Sequence, residues 1–227
     1  MRKKLLLFMF VFAAVCLTGC LREGIDTIAL PFGKIPEGVI PQEIREQFEQ
    51  YMPIYEGVTP PDITGEYLCD PDLIVFTSDG QFDPGHQFAP LYFSFYDQTA
   101  SGMAAYKERQ AYSYDESPEV YVVGSGNNFT AYFISTGTRN DQYGNWVASY
   151  KMSNVISGTV TEDGITNYKS AFIMLEKDDP DYTLMDVNEY RVFEDGDGIA
   201  VRYDWTKTSV GEEAGLPDKT QRGKSLK

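Results

Sequence analysis

The sequence predicts a mainly β protein: an antiparallel meander that closes into a barrel or, alternatively, folds into a β-sandwich, preceded by one short amphipathic helix. Three observations carry this. From Ile63 to Trp205, short runs rich in Tyr, Phe, Val, Ile and Thr alternate with clusters of Gly, Asn, Asp and Pro. Asp-Gly dipeptides stand between such runs at Asp163-Gly164 and Asp195-Gly196, where positive φ angles would make tight hairpins. One segment, Pro41 to Tyr51, carries apolar residues at helical spacing.

The helix prediction rests on Ile44, Phe48 and Tyr51, spaced i, i+4, i+7 among strong helix formers, with a proline at the start. Such a stripe is a packing face, expected to dock on the domain that follows; Pro60-Pro61 ends this leading segment. The expected strands are Ile63–Leu68, Leu73–Thr77, Leu91–Tyr96, Met103–Tyr112 and Val120–Val123, then Phe129–Ser135, Trp146–Met152, Val155–Thr161, Ile165–Leu175, Glu189–Phe193 and Ile199–Tyr203. Hairpins are expected at Glu162-Asp163-Gly164, at Asp195-Gly196-Asp197-Gly198 and at Gly124-Ser125-Gly126-Asn127-Asn128. Sequential hairpins make a meander, and closure protects its edges.

The first nineteen residues are of another kind. Arg2, Lys3 and Lys4 precede an apolar run from Leu5 to Val15 of about 11 residues, where a membrane-spanning helix needs roughly 20. Leu17-Thr18-Gly19-Cys20 then resembles the lipobox of bacterial lipoproteins, which implies cleavage before Cys20 and lipid attachment to its thiol. Two or three acyl chains hold stably where one does not. The expected organisation is a signal peptide over 1–19, a lipid-anchored tether and helix over 20–58, a β-domain over 59–206 and a disordered polar tail over 207–227. Leu21 is not the Asp that retains enteric lipoproteins in the inner membrane, so the resemblance places the protein at the outer membrane, on its periplasmic face or at the cell surface.

The formal net charge is −15, and cleavage would remove three positive charges more. So acidic a chain is repelled by nucleic acids, which are excluded as partners. With Cys16 removed and Cys20 lipidated, Cys69 is the one free thiol of the mature chain; flanked by acids in a strand, it reads as a core or turn residue.

Met52-Pro53-Ile54-Tyr55-Glu56-Gly57 and Pro60-Pro61-Asp62-Ile63-Thr64-Gly65-Glu66-Tyr67 resemble the opening of a family of uncharacterised lipoproteins from Bacteroidota and Fibrobacter relatives. Ser157-Gly158-Thr159 and Tyr190-Arg191-Val192-Phe193-Glu194-Asp195-Gly196-Asp197-Gly198 resemble its later blocks. The resemblance spans roughly residues 52 to 204 and implies an anchored extracytoplasmic β-domain. A helix leading into a Gly-x-Tyr strand and a meander is also similar to the lipocalin and calycin barrels, with Tyr67 where those carry Trp. Asp26-Thr27-Ile28 resembles a short O-glycosylation motif of Bacteroidota lipoproteins.

No motif assigns a catalytic, metal or cofactor residue. His86 stands without a second ligand at zinc spacing. Ser125 lacks the Gly-x-Ser-x-Gly context of a nucleophile. Asp195-Gly196-Asp197-Gly198 and Asp178-Asp179-Pro180-Asp181 resemble fragments of calcium loops but lack the remaining ligands. The 16 Tyr, 14 Phe and 2 Trp exceed what a small barrel interior holds easily. Tyr92, Phe93, Phe95 and Tyr96 put aromatics on both faces of one strand, either as core or as a cavity wall or exposed patch. The expectation is a non-enzymatic domain that binds a small-molecule, lipid or glycan ligand at residues the sequence does not name. The alternatives are an adaptor docking another envelope protein and, third, a glycan hydrolase using a carboxylate pair.

Overall fold

The computed structural model describes residues 39–40 and 42–205. Cys20, the signal segment and most of the expected tether and tail lie outside the described residues. One helix, α1 (Gln42–Phe48), leads into twelve strands: β1 (Val58–Thr59), β2 (Gly65–Cys69), β3 (Asp72–Thr77), β4 (Gln87–Phe88), β5 (Leu91–Tyr96), β6 (Met103–Gln110), β7 (Ser113–Ser125), β8 (Asn128–Asn140), β9 (Trp146–Val160), β10 (Gly164–Asp178), β11 (Tyr190–Asp195) and β12 (Ile199–Arg202). All belong to one sheet. The mainly β, antiparallel prediction holds, with one exception in the parallel pair β1–β7.

Strands β5 to β10 form the expected meander, each pairing with its successor. Because β2 joins β5 on one side and β12 on the other, and β12 also pairs with β10, eight strands form a hydrogen-bonded circuit. The four strands β7 to β10 are all longer than the sequence suggested, two of them across an apparent break. β9 continues through Ser153-Asn154, read as a break, because both polar side chains are satisfied: Ser153 Oγ donates to the Val39 carbonyl and Asn154 Nδ2 to Ser135 Oγ at 2.9 Å. β7 passes Pro118 because the ladder slips between Glu116 and Val120, where a residue without an N–H is tolerated.

The hairpin at Glu162-Asp163-Gly164 is observed, with Val160 opposite Ile165, as is the one before Asn128, with Ser125 opposite it. Asp195-Gly196-Asp197-Gly198 is not a hairpin. β11 and β12 run in the same direction along one edge of β10, Lys169 facing Glu194 and Thr166 facing Ile199, so the Asp-Gly pair makes a jog. β2 and β3 are broken at the same level by Asp70-Pro71, and Gly196 N donates to the Pro71 carbonyl at 2.8 Å. Beyond the jog, β11, β3 and β4 leave the circuit as a separate flap, and the interior opens there.

The helix prediction of 41–51 contracts to seven residues followed by turns through Met52. It docks as expected, on the outer face: Phe48, fully buried, packs with Tyr132, Val155, Ala171 and Val192. Burying that one ring contributes about 2 kcal/mol. Among the described residues no helix is long and apolar enough to cross a membrane.

Inside the circuit the end away from the flap is solid. Phe93 stacks on Tyr67 at 5.2 Å and Tyr168 at 5.1 Å, and Tyr106 meets Phe133 at 4.5 Å. The two-faced aromatic strand is therefore core on its inner side. On its outer side Tyr92 is covered by Tyr203 at 5.1 Å and the Arg109 guanidinium at 4.8 Å rather than exposed.

Candidate functional site

The strand alternation that points Tyr106 inward also points Glu108 inward, two residues nearer the open end. Its partner across the β6–β7 ladder is Asp115. Two carboxyls thus face each other inside the sheet, above the aromatic core. The Tyr106 hydroxyl donates to Glu108 Oε2. The Tyr150 hydroxyl donates to Asp115 Oδ2 at 2.7 Å, and Ser135 Oγ to Asp115 Oδ1 at 3.3 Å. Every donor is a neutral hydroxyl. Burial holds both carboxyls above their ordinary range, with Asp72 raising Glu108 further and Glu108 raising Asp115, so the pair retains a proton near neutrality.

A third acid stands behind them. Asp72 of β3 is 3 % exposed, accepts from Gln110 Nε2 at 2.7 Å, and is pushed up to about 7 by burial. The Cys69 thiol donates to its other oxygen at 3.7 Å and is itself pushed up, first by burial and then by Asp72 and Asp195. Cys69 is thus the core residue its flanks suggested, and its thiolate is strongly disfavoured.

Above the carboxyls lies a cavity of about 470 Å³. One wall is the flap, with Phe82, Phe88 and Ala89; the opposite one is the β10–β11 connection, with Tyr182, Leu184 and Met185. Met152, Met174, Phe172 and Phe193 line the floor beside Glu108, Asp115 and Tyr150. Arg139 and Arg191 also line it, and the second is already engaged: its Nη2 meets Asp79 Oδ2 at 2.8 Å and its guanidinium lies over Phe82 at 4.9 Å. The sequence left ligand residues unnamed; these are the ones the fold brings together.

The residues weighed from sequence fall elsewhere. His86 packs in a triangle with Phe82 at 4.7 Å and, edge-on, Phe88 at 5.1 Å, and is not among the residues lining the cavity. Ser125 ends β7 at the turn before Asn128. Asp179 caps its own loop, accepting from the Thr183 and Leu184 amides at 2.8 and 2.9 Å. Asp195 caps the jog, with Oδ1 accepting from the amides of Asp197, Gly198 and Ile199. Among the described residues no group of three or more His, Cys, Asp or Glu is arranged to hold a metal ion.

A second concavity, about 960 Å³, is an open trough along the strands from β6 to β10, lined by Lys107, Lys151 and Lys177 and also by Glu108, Asp115 and Tyr150. Its one Trp, Trp205, already carries Lys107 at 4.7 Å and Arg109 at 5.2 Å over its ring.

No family model, no curated protein and no solved structure matches the chain.

Proposed function

We propose that the protein is a lipid-anchored envelope lipoprotein whose β-domain captures a small ligand in the cavity beneath the flap. The observation that carries this is the cavity itself. Its volume of about 470 Å³ lies within the range of ligand pockets, roughly 300–1,000 Å³, and its walls combine apolar surface with a few convergent polar groups, as such pockets do. The solid aromatic core on one side and the opening on the other give one way in. The lipobox-like Leu17-Thr18-Gly19-Cys20 supports anchoring through Cys20, and the absence of Asp at position 21 supports the outer membrane. The test uses a neutral fluorescent probe, N-phenyl-1-naphthylamine. Saturable binding that is abolished by Ala89→Trp, which fills the cavity from the flap wall, supports capture; binding that survives this change places the probe elsewhere and overturns the reading.

A second reading, glycan hydrolysis, has one observation in its favour: Glu108 and Asp115 are opposed across the β6–β7 ladder and both are held above the ordinary carboxyl range, as a general acid would be. Turnover of aryl glycosides that is lost in both Glu108→Gln and Asp115→Asn would establish it.

A further inference from the structure

The open end of the domain concentrates two kinds of group that attract the same partner. Aromatic faces favour a cation near the ring centroid. The cavity presents Phe82, Phe88, Phe172 and Phe193, and Phe82 already carries one cation, the Arg191 guanidinium at 4.9 Å. Deeper in, Glu108 and Asp115 face each other with only hydroxyl donors on their oxygens. No lysine lines the cavity among the described residues, and Arg191 is neutralised by Asp79, which leaves Arg139 as the one lining cation with no carboxylate on it.

We propose that the cavity binds an organic ammonium ion, its charge against the Glu108 and Asp115 carboxyls and its apolar body among the Phe and Met side chains. The inference rests on the ligand-capture reading and names the ligand class. Its physical logic is replacement. In the empty cavity the two carboxyls avoid mutual repulsion by keeping a proton; an ammonium group does the same work, so the carboxylic acid releases its proton to solvent as the cation enters. The groups facing the pair are Tyr106 on its own strand, Tyr150 on β9, Tyr168 on β10, Asp72 on β3 and Arg139 on β8, and of these only Arg139 opposes the cation.

The experiment compares three probes of one shape on the full-length chain: phenethylammonium, 2-phenylethanol and hydrocinnamate, titrated calorimetrically near pH 7 in phosphate and in Tris. The expected result is that the ammonium binds about tenfold or more tighter than the alcohol, about 1.4 kcal/mol, with a heat that differs between buffers because a proton is released. Glu108→Gln should erase this preference. If that variant does not fold, Phe88→Leu serves, since it keeps an apolar wall and weakens only the ammonium. Alcohol or carboxylate binding as tightly as ammonium, or a heat independent of buffer, overturns the ligand class. If none of the three binds while N-phenyl-1-naphthylamine still does, the class fails and capture stands; if no probe binds, both fail.

Discussion

The Tyr150 hydroxyl reaches Asp115 Oδ2 at 2.7 Å across Gly137, and it does so because Gly137 has no side chain. A Cβ there would stand 2.2 Å from the Tyr150 ring and 2.5 Å from Asp115 Oδ1. The Tyr150 ring and the Asp115 carboxyl would both have to move to admit it. Gly137→Ala should therefore destabilise the fold by about 2–4 kcal/mol, combining overpacking with a displaced hydrogen bond. Tyr150→Phe keeps the ring and loses only the donor, so about 1–3 kcal/mol is expected. Urea denaturation of both variants would check the order, and an alanine variant as stable as the parent would mean that Tyr150 does not sit over residue 137.

Three buried acids also fix how stability depends on pH. Glu108, Asp115 and Asp72 all have folded-state pKa values raised by burial, Asp72 to about 7. Between an unfolded value near 4 and those folded values, the folded chain holds more protons than the unfolded one, so stability falls as pH rises through that window. Each tenfold difference in proton affinity corresponds to about 1.4 kcal/mol. The thermal midpoint should be higher at pH 5 than at pH 8, and Asp115→Asn, which needs no proton, should flatten the difference. A midpoint that climbs from pH 5 to pH 8 would mean that these carboxyls are solvated.

The same acids show what the sequence could and could not disclose. The meander was legible because each hairpin joins neighbours in the chain, and Asp163-Gly164 stands between strands that pair with each other. Asp195-Gly196 carries the same dipeptide, yet the strands on either side both pair with β10, a long-range choice that local chemistry does not encode. Glu108 stands among three consecutive charged residues, Lys107-Glu108-Arg109, whose charges do not mark an inner face. Its parity with Tyr106 was the available signal: two residues on from a core aromatic, a strand residue faces the core. Asp115 likewise shares parity with Ser113 and Ser117, too polar a set to mark an inner face. That the two acids meet follows from the turn at Ala111-Tyr112, which pairs Gln110 with Ser113 and so Glu108 with Asp115; the expected strand Met103–Tyr112 ran over that turn.

The jog gives a test of its own. Asp195 Oδ1 gathers the amides of Asp197, Gly198 and Ile199 while Oδ2 takes that of Asp70 at 3.2 Å. Asp195→Ala leaves these donors without a side-chain partner, and about 2–3 kcal/mol of destabilisation is expected. Asp195→Asn retains the Oδ1 acceptor and should recover most of it. Equal losses for both substitutions would show that charge, not capping, is what the jog needs.

Anchoring makes a prediction independent of the fold. If Cys20 carries lipid, Cys20→Ser should shift the protein from the membrane fraction to the soluble one, and the parent's N-terminal peptide should gain the mass of its acyl chains. The β-domain should keep the same thermal midpoint. Membrane association unchanged in Cys20→Ser would overturn the lipobox reading.

Arg191 ties the loop after β3 to β11 within the flap. It lies on β11 and pairs with Asp79 just beyond β3, side chains 12 % and 10 % exposed, while its Nη2 also donates to Gln81 at 3.0 Å and its plane covers Phe82. Replacing it with Leu would leave the Asp79 carboxylate largely buried without its cation, a loss of about 2–4 kcal/mol. The effect should be local first, because residues 79–82 are held by this guanidinium, by the Thr77 hydroxyl and the Gln81 amide on Asp79, and by the Phe82 ring on His86 and Phe88. Amide exchange should therefore speed up around Gln81 and Phe82 and leave the β8–β9 ladder unchanged. Phe82 forms one wall of the cavity, so the variant should also bind N-phenyl-1-naphthylamine more weakly. Removing both charges, as Arg191→Leu with Asp79→Leu, should restore part of the stability, because the unpaired carboxylate goes with its partner, but not the binding, because the Phe82 wall still lacks the side chain that held it.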